Sequence, residues 1–161
     1  MEASITFKSV AKKNNNNTLL ADLSFGVEKG TRFTLVGNNG SGKSIILKLI
    51  SGIISKDKGS IYVKGHDMNI RKNEIKSLIG YMPQESDLDE SLSVFQNILI
   101  SGRFFGLNND EVSNRINLLS KTLNFYKYLH SMPSELSYGI LRVVMFCKSI
   151  IHNPEIILLD E

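Results

Sequence analysis

Gly37-Asn38-Asn39-Gly40-Ser41-Gly42-Lys43-Ser44 decides the reading of this chain. The stretch fits G-x-x-x-x-G-K-[ST], a loop that wraps phosphate oxygens in backbone N–H groups. Before it, residues 31–36 (Thr-Arg-Phe-Thr-Leu-Val) read as a short strand; after it, residues 45–50 (Ile-Ile-Leu-Lys-Leu-Ile) read as the buried face of a helix. Strand, loop and helix in that order are the setting the motif needs. Glycines let the chain turn inward where a Cβ would collide, and the following helix directs its positive end at the same anion. Lys43 is placed to reach the β- and γ-phosphates of a nucleotide. Ser44 offers a hydroxyl to Mg2+, a hard ion that favours oxygen ligands. A flexible surface turn is the plainer alternative, and it leaves the full motif in this setting unexplained.

Working outward, the chain of 161 residues is long enough to bury a core, and a hydrophobic content of 42% with mixed charge fits a globular protein. A net charge of +3, from lysines scattered without a basic run, gives no ground for nucleic-acid binding. The single cysteine, Cys147, cannot close an internal disulfide and lies in an apolar stretch, which suits a small core residue in a reducing compartment. Residues 45–54 carry Lys48 and residues 150–159 are broken by His152, Asn153, Pro154 and Glu155, so neither run suits a membrane span. No secretory signal is visible at the N-terminus. A cytoplasmic location is expected, with any membrane role reached through a partner.

Residues 4–8 and 19–27 read as strands, separated by a polar loop over residues 12–17. Further strands are expected at 60–63 and 79–82, the latter stopped by Pro83. Helices are expected at 93–105 and 110–123, the second capped by Asn109 or Asp110 and carrying Val112, Ile116, Leu119 and Leu123 on one face. Residues 137–151 read as a mostly buried helix ended before Pro154. The run Ile156-Ile157-Leu158-Leu159 then closes on Asp160 and Glu161, and its continuous apolarity suits a central strand of a parallel sheet. The plan is an α/β core interrupted by helices.

An acid at the carboxyl end of a strand beside a phosphate loop can hold the Mg2+ shell, and a second can polarise the attacking water. Asp160 is the candidate metal ligand and Glu161 the candidate general base. Taken alone they are two solvated acids at a strand end. Ser137 opens a helix and reads on spacing as its N-cap; Gln84 after Pro83 reads alone as a polar loop residue.

Together these segments resemble the ATP-binding cassette (ABC) ATPases: the phosphate loop, Gln84 after Tyr81-Met82-Pro83, Leu136-Ser137-Tyr138-Gly139-Ile140, and residues 156–161, in that order and approximate spacing. The resemblance covers nearly the whole chain. It implies an α/β fold with a P-loop NTPase core, an N-terminal antiparallel β subdomain and an inserted helical subdomain. Residues 1–161 would form a single ATP-binding domain, with 1–83 the β subdomain and P-loop core, 84–136 the Q-loop and helical subdomain, and 137–161 the signature helix and Walker B strand.

By the same resemblance, ATP and Mg2+ are the implied cofactors, with Gly37, Asn38, Asn39, Gly40, Ser41, Gly42, Lys43 and Ser44 cradling the nucleotide. Ser44, Gln84 and Asp160 would serve the metal, and Glu161, Gln84 and Lys43 the chemistry. Ser137 and Gly139 would contact ATP bound to a second ABC subunit in a head-to-tail dimer. A membrane-spanning subunit would receive the motion, holding the chain at the inner face of the membrane. A soluble ABC protein, or a nucleotide-binding remnant without turnover, are the rival readings. Differences from the pattern are Tyr138 and Ile140 within the signature, and Asn14 where an aromatic residue would stack on adenine. The 161 residues also stop before a D-loop and switch histidine, so the resemblance implies a core whose C-terminal part is missing from this chain.

Overall fold

The computed structural model describes residues 3–15 and 17–161; Met1, Glu2 and Asn16, the last within the expected 12–17 loop, lie outside the described residues. The chain divides into two compact units, one made of the residues up to Ile79 together with Asp160, the other of Gly80–Leu159 together with Glu161.

In the first unit, strands β1 (Ala3–Asn14), β2 (Asn17–Glu28), β3 (Lys58–Val63) and β4 (His66–Asp67) form one sheet in the order β2-β1-β3-β4, antiparallel at each pairing. Ile5, Phe7 and Val10 are the buried residues of β1, and the step from 7 to 10 breaks a strict alternation. A bulge absorbs the break: the register shifts between Phe7 and Val10 against β2 and between Lys8 and Ala11 against β3, Ser9 takes φ +48°, and its N–H is satisfied by Ser24 Oγ at 2.8 Å.

The hairpin is longer than expected. Lys13 pairs with Thr18 and Asn14 with Asn17, so the polar run assigned to a loop is mostly strand. Ladder bonds are made by the backbone whatever the side chains, and Asp57 braces this end by accepting from the Lys13 N–H at 2.6 Å and from Lys12 Nζ at 3.3 Å. The Lys13 N–H bond, with smaller help from both lysine charges, holds the exposed Asp57 carboxyl below its ordinary range.

A second correction concerns residues 31–36. They carry no strand, because a strand exists by pairing and no ladder reaches them among the described residues. Phe33 is 52% exposed and ties the segment to the hairpin by ring stacking on Phe25 at 5.6 Å, which stacks in turn on Phe7 at 4.6 Å. Helix α1 (Lys43–Ile50) buries Ile46, Leu49 and Ile50, as the apolar spacing predicts. The short helix α2 (Lys72–Ser77), anchored by the buried Ile75, escapes sequence reading because six residues hold too little periodicity.

The second unit contains, from Gly80 onward, β5 (Ile79–Met82), which pairs with β6 (Ile156–Leu159), and helices α3 (Val94–Phe104), α4 (Asn109–Thr122) and α5 (Tyr138–Ile150). Val94 and Ile98 from α3, Val112 and Ile116 from α4, and Val144 and Met145 from α5 meet around the fully buried Phe125. Gly102 lets α3 and α4 approach, since a Cβ there would lie 2.6 Å from a Val112 methyl. Ser93 and Gln96 close a capping box on α3. For α4 the cap is Asn108, one or two residues before the expected position, because the box also requires an acid three residues on, and Asn108 has Glu111 there.

The β6 run is not buried on both faces: Leu158 is buried, while Ile157 and Leu159 are exposed. Successive side chains point to opposite faces, and packing covers one of them. Among the described residues no helix is long and apolar enough to cross a membrane.

Cys147 belongs to the helical core, and burial pushes its thiol up to about 12. Iodoacetamide at about pH 8 is therefore expected to leave the native thiol unmodified and to label it once urea unfolds the chain, because the thiolate is the nucleophile. Labelling of the folded protein at the unfolded rate would show the opposite. The raised value also means that stability falls as pH rises from about 9 towards about 12, where the unfolded chain releases the proton and the folded one retains it.

Candidate functional site

Residues 37–44 turn on Gly40 and Gly42, at φ +80° and +93°, a backbone region costly for any side chain. Ser41 N–H donates to Asn38 O at 3.1 Å within the turn, and a Cβ on Gly37 would lie 2.6 Å from Ser41 Oγ. Gly42 is the N-cap of α1. It supplies no side-chain cap, and the first helical turn holds no acid. The N–H groups and the positive end of the helix dipole are thus left to an external anion.

Lys43 reaches back across this turn. Its Nζ donates to Gly37 O at 2.8 Å and to Asn38 O at 2.9 Å, bracing the loop from inside. An ammonium has three donors, so one remains for a phosphate oxygen.

Ser44 and Asp160, far apart in sequence, are brought together: Ser44 Oγ donates to Asp160 Oδ1 at 2.9 Å, and Asp160 is 4% exposed. This is an all-oxygen pair of one hydroxyl and one carboxylate. Mg2+ takes such sets, held by one or two carboxylates while phosphate and water supply the rest of the shell. Among the described residues no group of three or more His, Cys, Asp or Glu could cage a metal without that help. The pair fits the ion.

A separate constellation forms in the second unit. Gln84 Nε2 donates to Glu161 Oε2 at 2.7 Å. Arg142, which sequence reading missed, donates from Nη1 to Pro83 O at 3.1 Å and Gln84 O at 2.8 Å, and from Nη2 to the main-chain oxygen of Glu161. A lone arginine inside a helix gives no sign in sequence of the carbonyls it meets. Lys148, from the same helix, pairs with Asp87 at 2.9 Å and also donates to its main-chain oxygen at 2.6 Å. The buried Asn97 ties down the loop that follows, donating to the carbonyls of Asp89, Leu92 and Ser93 and accepting from the Asp89 N–H.

Ser137 caps α5, its hydroxyl accepting from Ile140 N–H at 3.4 Å. Tyr138 beside it is 74% exposed, and a Cβ on Gly139 would meet nothing within 4 Å. The packing described here therefore does not demand a glycine at 139.

The family model for ABC transporters matches residues 20–161. This chain belongs to the ABC transporter family. Among relatives of this ABC chain, the Nod factor export ATP-binding protein I of Mesorhizobium japonicum is 32% identical over 157 residues, covering 98% of this chain and 46% of that protein. The molybdate/tungstate import ATP-binding protein WtpC of Thermococcus kodakarensis is 34% identical over 142 residues, covering 88% of this chain and 43% of its own length. The chain thus spans about half the length of the curated relatives it matches. A solved ATP-binding subunit of an ABC transporter superposes with a TM-score of 0.86 at 25% identity, over 98% of this chain and 65% of that one. The fold is also that of cbiO1 from Clostridium perfringens, part of the ABC transporter complex cbiONQ, with a TM-score of 0.83 at 20% identity, over 100% of this chain and 66% of that one. The mixed α/β fold with an antiparallel sheet and helices agrees with the expectation from sequence.

Proposed function

We propose that this chain is the ATP-binding part of an ABC transporter subunit: it binds Mg-ATP and, within the complete protein, takes part in the hydrolysis that drives transport. The single observation that carries the reading is the Lys43-braced loop whose next residue, Ser44, is hydrogen-bonded to the buried Asp160. The relatives named for export and import point the same way, one being an exporter's ATP-binding protein and the other an importer's.

In this reading residues 37–44 bind the β- and γ-phosphates through backbone N–H groups, and Lys43 neutralises their charge. Ser44 and Asp160 would hold Mg2+, which supplies charge neutralisation on the phosphates. Glu161 takes the proton of the attacking water, with its carboxylate oriented by Gln84. Ser137 and Gly139 offer the start of α5 to ATP held by a second ABC subunit; the open space at Gly139 supports a contact made outside this chain. A membrane-spanning subunit is the partner, which places the chain at the cytoplasmic face of the membrane.

Calorimetric titration with ATP, in Mg2+ and in EDTA, tests the reading. Binding is expected to be on the order of tenfold tighter with Mg2+, and Asp160→Asn is expected to remove that increment by taking away the carboxylate. No heat of binding at millimolar Mg-ATP, or an increment that survives Asp160→Asn, would reject it.

A further inference from the structure

We infer that Arg142 is a positioning residue whose guanidinium sets the Gln84 side chain against the Glu161 carboxylate. The inference rests on the reading above, in which that carboxylate is the base. Three of its acceptors are main-chain oxygens, and they lie on two different segments: Pro83 and Gln84 just after β5, and Glu161 just after β6. One rigid planar group therefore fixes two backbones relative to each other.

The side chains that meet between those backbones could not do this themselves. Gln84 Nε2 and Glu161 Oε2 share one exposed hydrogen bond, at 2.7 Å, from a long flexible carboxamide. A single exposed bond of this kind has to overcome the rotamer freedom of both side chains. Its geometry follows from where the two Cα atoms are held, and Arg142 ties the two backbones just where they leave the paired strands β5 and β6.

The same helix separates this effect from general loop support. Lys148 lies six residues after Arg142 on α5 and grips Asp87, three residues beyond Gln84, through both its main-chain oxygen and its carboxylate. Removing Lys148 frees the far end of the segment; removing Arg142 frees the end that carries Gln84. Lysine at 142 would keep the charge and lose the fork, which is not a conservative change where one group spans several fixed acceptors.

The test follows the side-chain amide resonances of Gln84 in the 15N-labelled full chain, assigned by their loss in Gln84→Ala. Glu161→Ala first establishes where they move when the carboxylate is gone. Arg142→Ala is expected to move them to that same position and to make them insensitive to a further Glu161→Ala change. Arg142→Lys is expected not to restore them, and it also decides the matter if the alanine variant does not fold. Lys148→Ala is expected to leave them in place while amide exchange over residues 85–91 rises on the order of tenfold. Gln84 resonances unchanged in Arg142→Ala, or fully restored by lysine, would overturn the inference. A separate Mg-ATP titration of the unsubstituted chain reports on the functional reading, so a failure there is distinguishable from a failure of Arg142 to position Gln84.

Discussion

Lys43→Ala is expected to weaken Mg-ATP binding roughly a hundredfold, about 3 kcal/mol, in a calorimetric titration. Two effects combine. The ammonium that would meet the phosphate is lost, and so are the bonds to Gly37 O and Asn38 O that brace the loop. Arginine is expected to rescue little, because its wide fork does not fit where a compact point charge sits between two carbonyls. Stability should not fall with affinity. Lys43 is the first residue of α1, where a positive charge opposes the helix dipole, and relief of that term offsets the loss of the two exposed bonds, so the alanine variant is expected to melt at close to the same temperature. Equal affinity in the two proteins would remove Lys43 from the site. A parallel loss of affinity and of melting temperature would make the effect one of folding.

Gly80→Val is expected to destabilise the fold by about 3 kcal/mol, read as a lower urea midpoint. A Cβ at 80 would lie 2.4 Å from Ser149 O and 2.8 Å from the Pro154 ring. Neither neighbour can swing aside, since one is helix backbone in α5 and the other a ring carbon. Gly106→Ala is the useful contrast: φ there is +84° but the space is open, so about 1 kcal/mol of backbone strain is expected and no collision. The Gly80 contact also matters for the candidate site. It seats β5, which leads into Gln84, against the end of α5, the helix that carries Arg142, so a forced separation acts on the Arg142 bonds. A cost at position 80 no larger than at 106 would show that the close approach is not real.

The boundaries of α3, α4, α5 and β5 were legible because each carries its own local signal: a cap, an apolar period, a stopping proline. The Asn108 cap lies one or two residues before the expected position because several capping residues stand side by side, and the choice among them falls to the Glu111 carboxylate three residues on, which only Asn108 has at that spacing. The hairpin end was misread because lysines and asparagines are turn-prone only until Asp57, from elsewhere in the chain, holds them in a ladder.

By itself the sequence determined the phosphate loop, since eight adjacent residues carry that chemistry and their conformation is local: glycines where φ must be positive, and a helix beginning at Lys43. It also determined that two acids follow an apolar strand, and that a serine begins a helix. Only the tertiary structure decided which of these meet. Ser44 reaches Asp160 across 116 residues, Gln84 reaches Glu161 across 77, and Arg142 binds carbonyls 59, 58 and 19 residues away. The reason is physical. A loop's shape follows from the torsional preferences of its own residues, whereas a contact between distant groups exists only after burial and strand pairing have brought their backbones together, and no local preference encodes that.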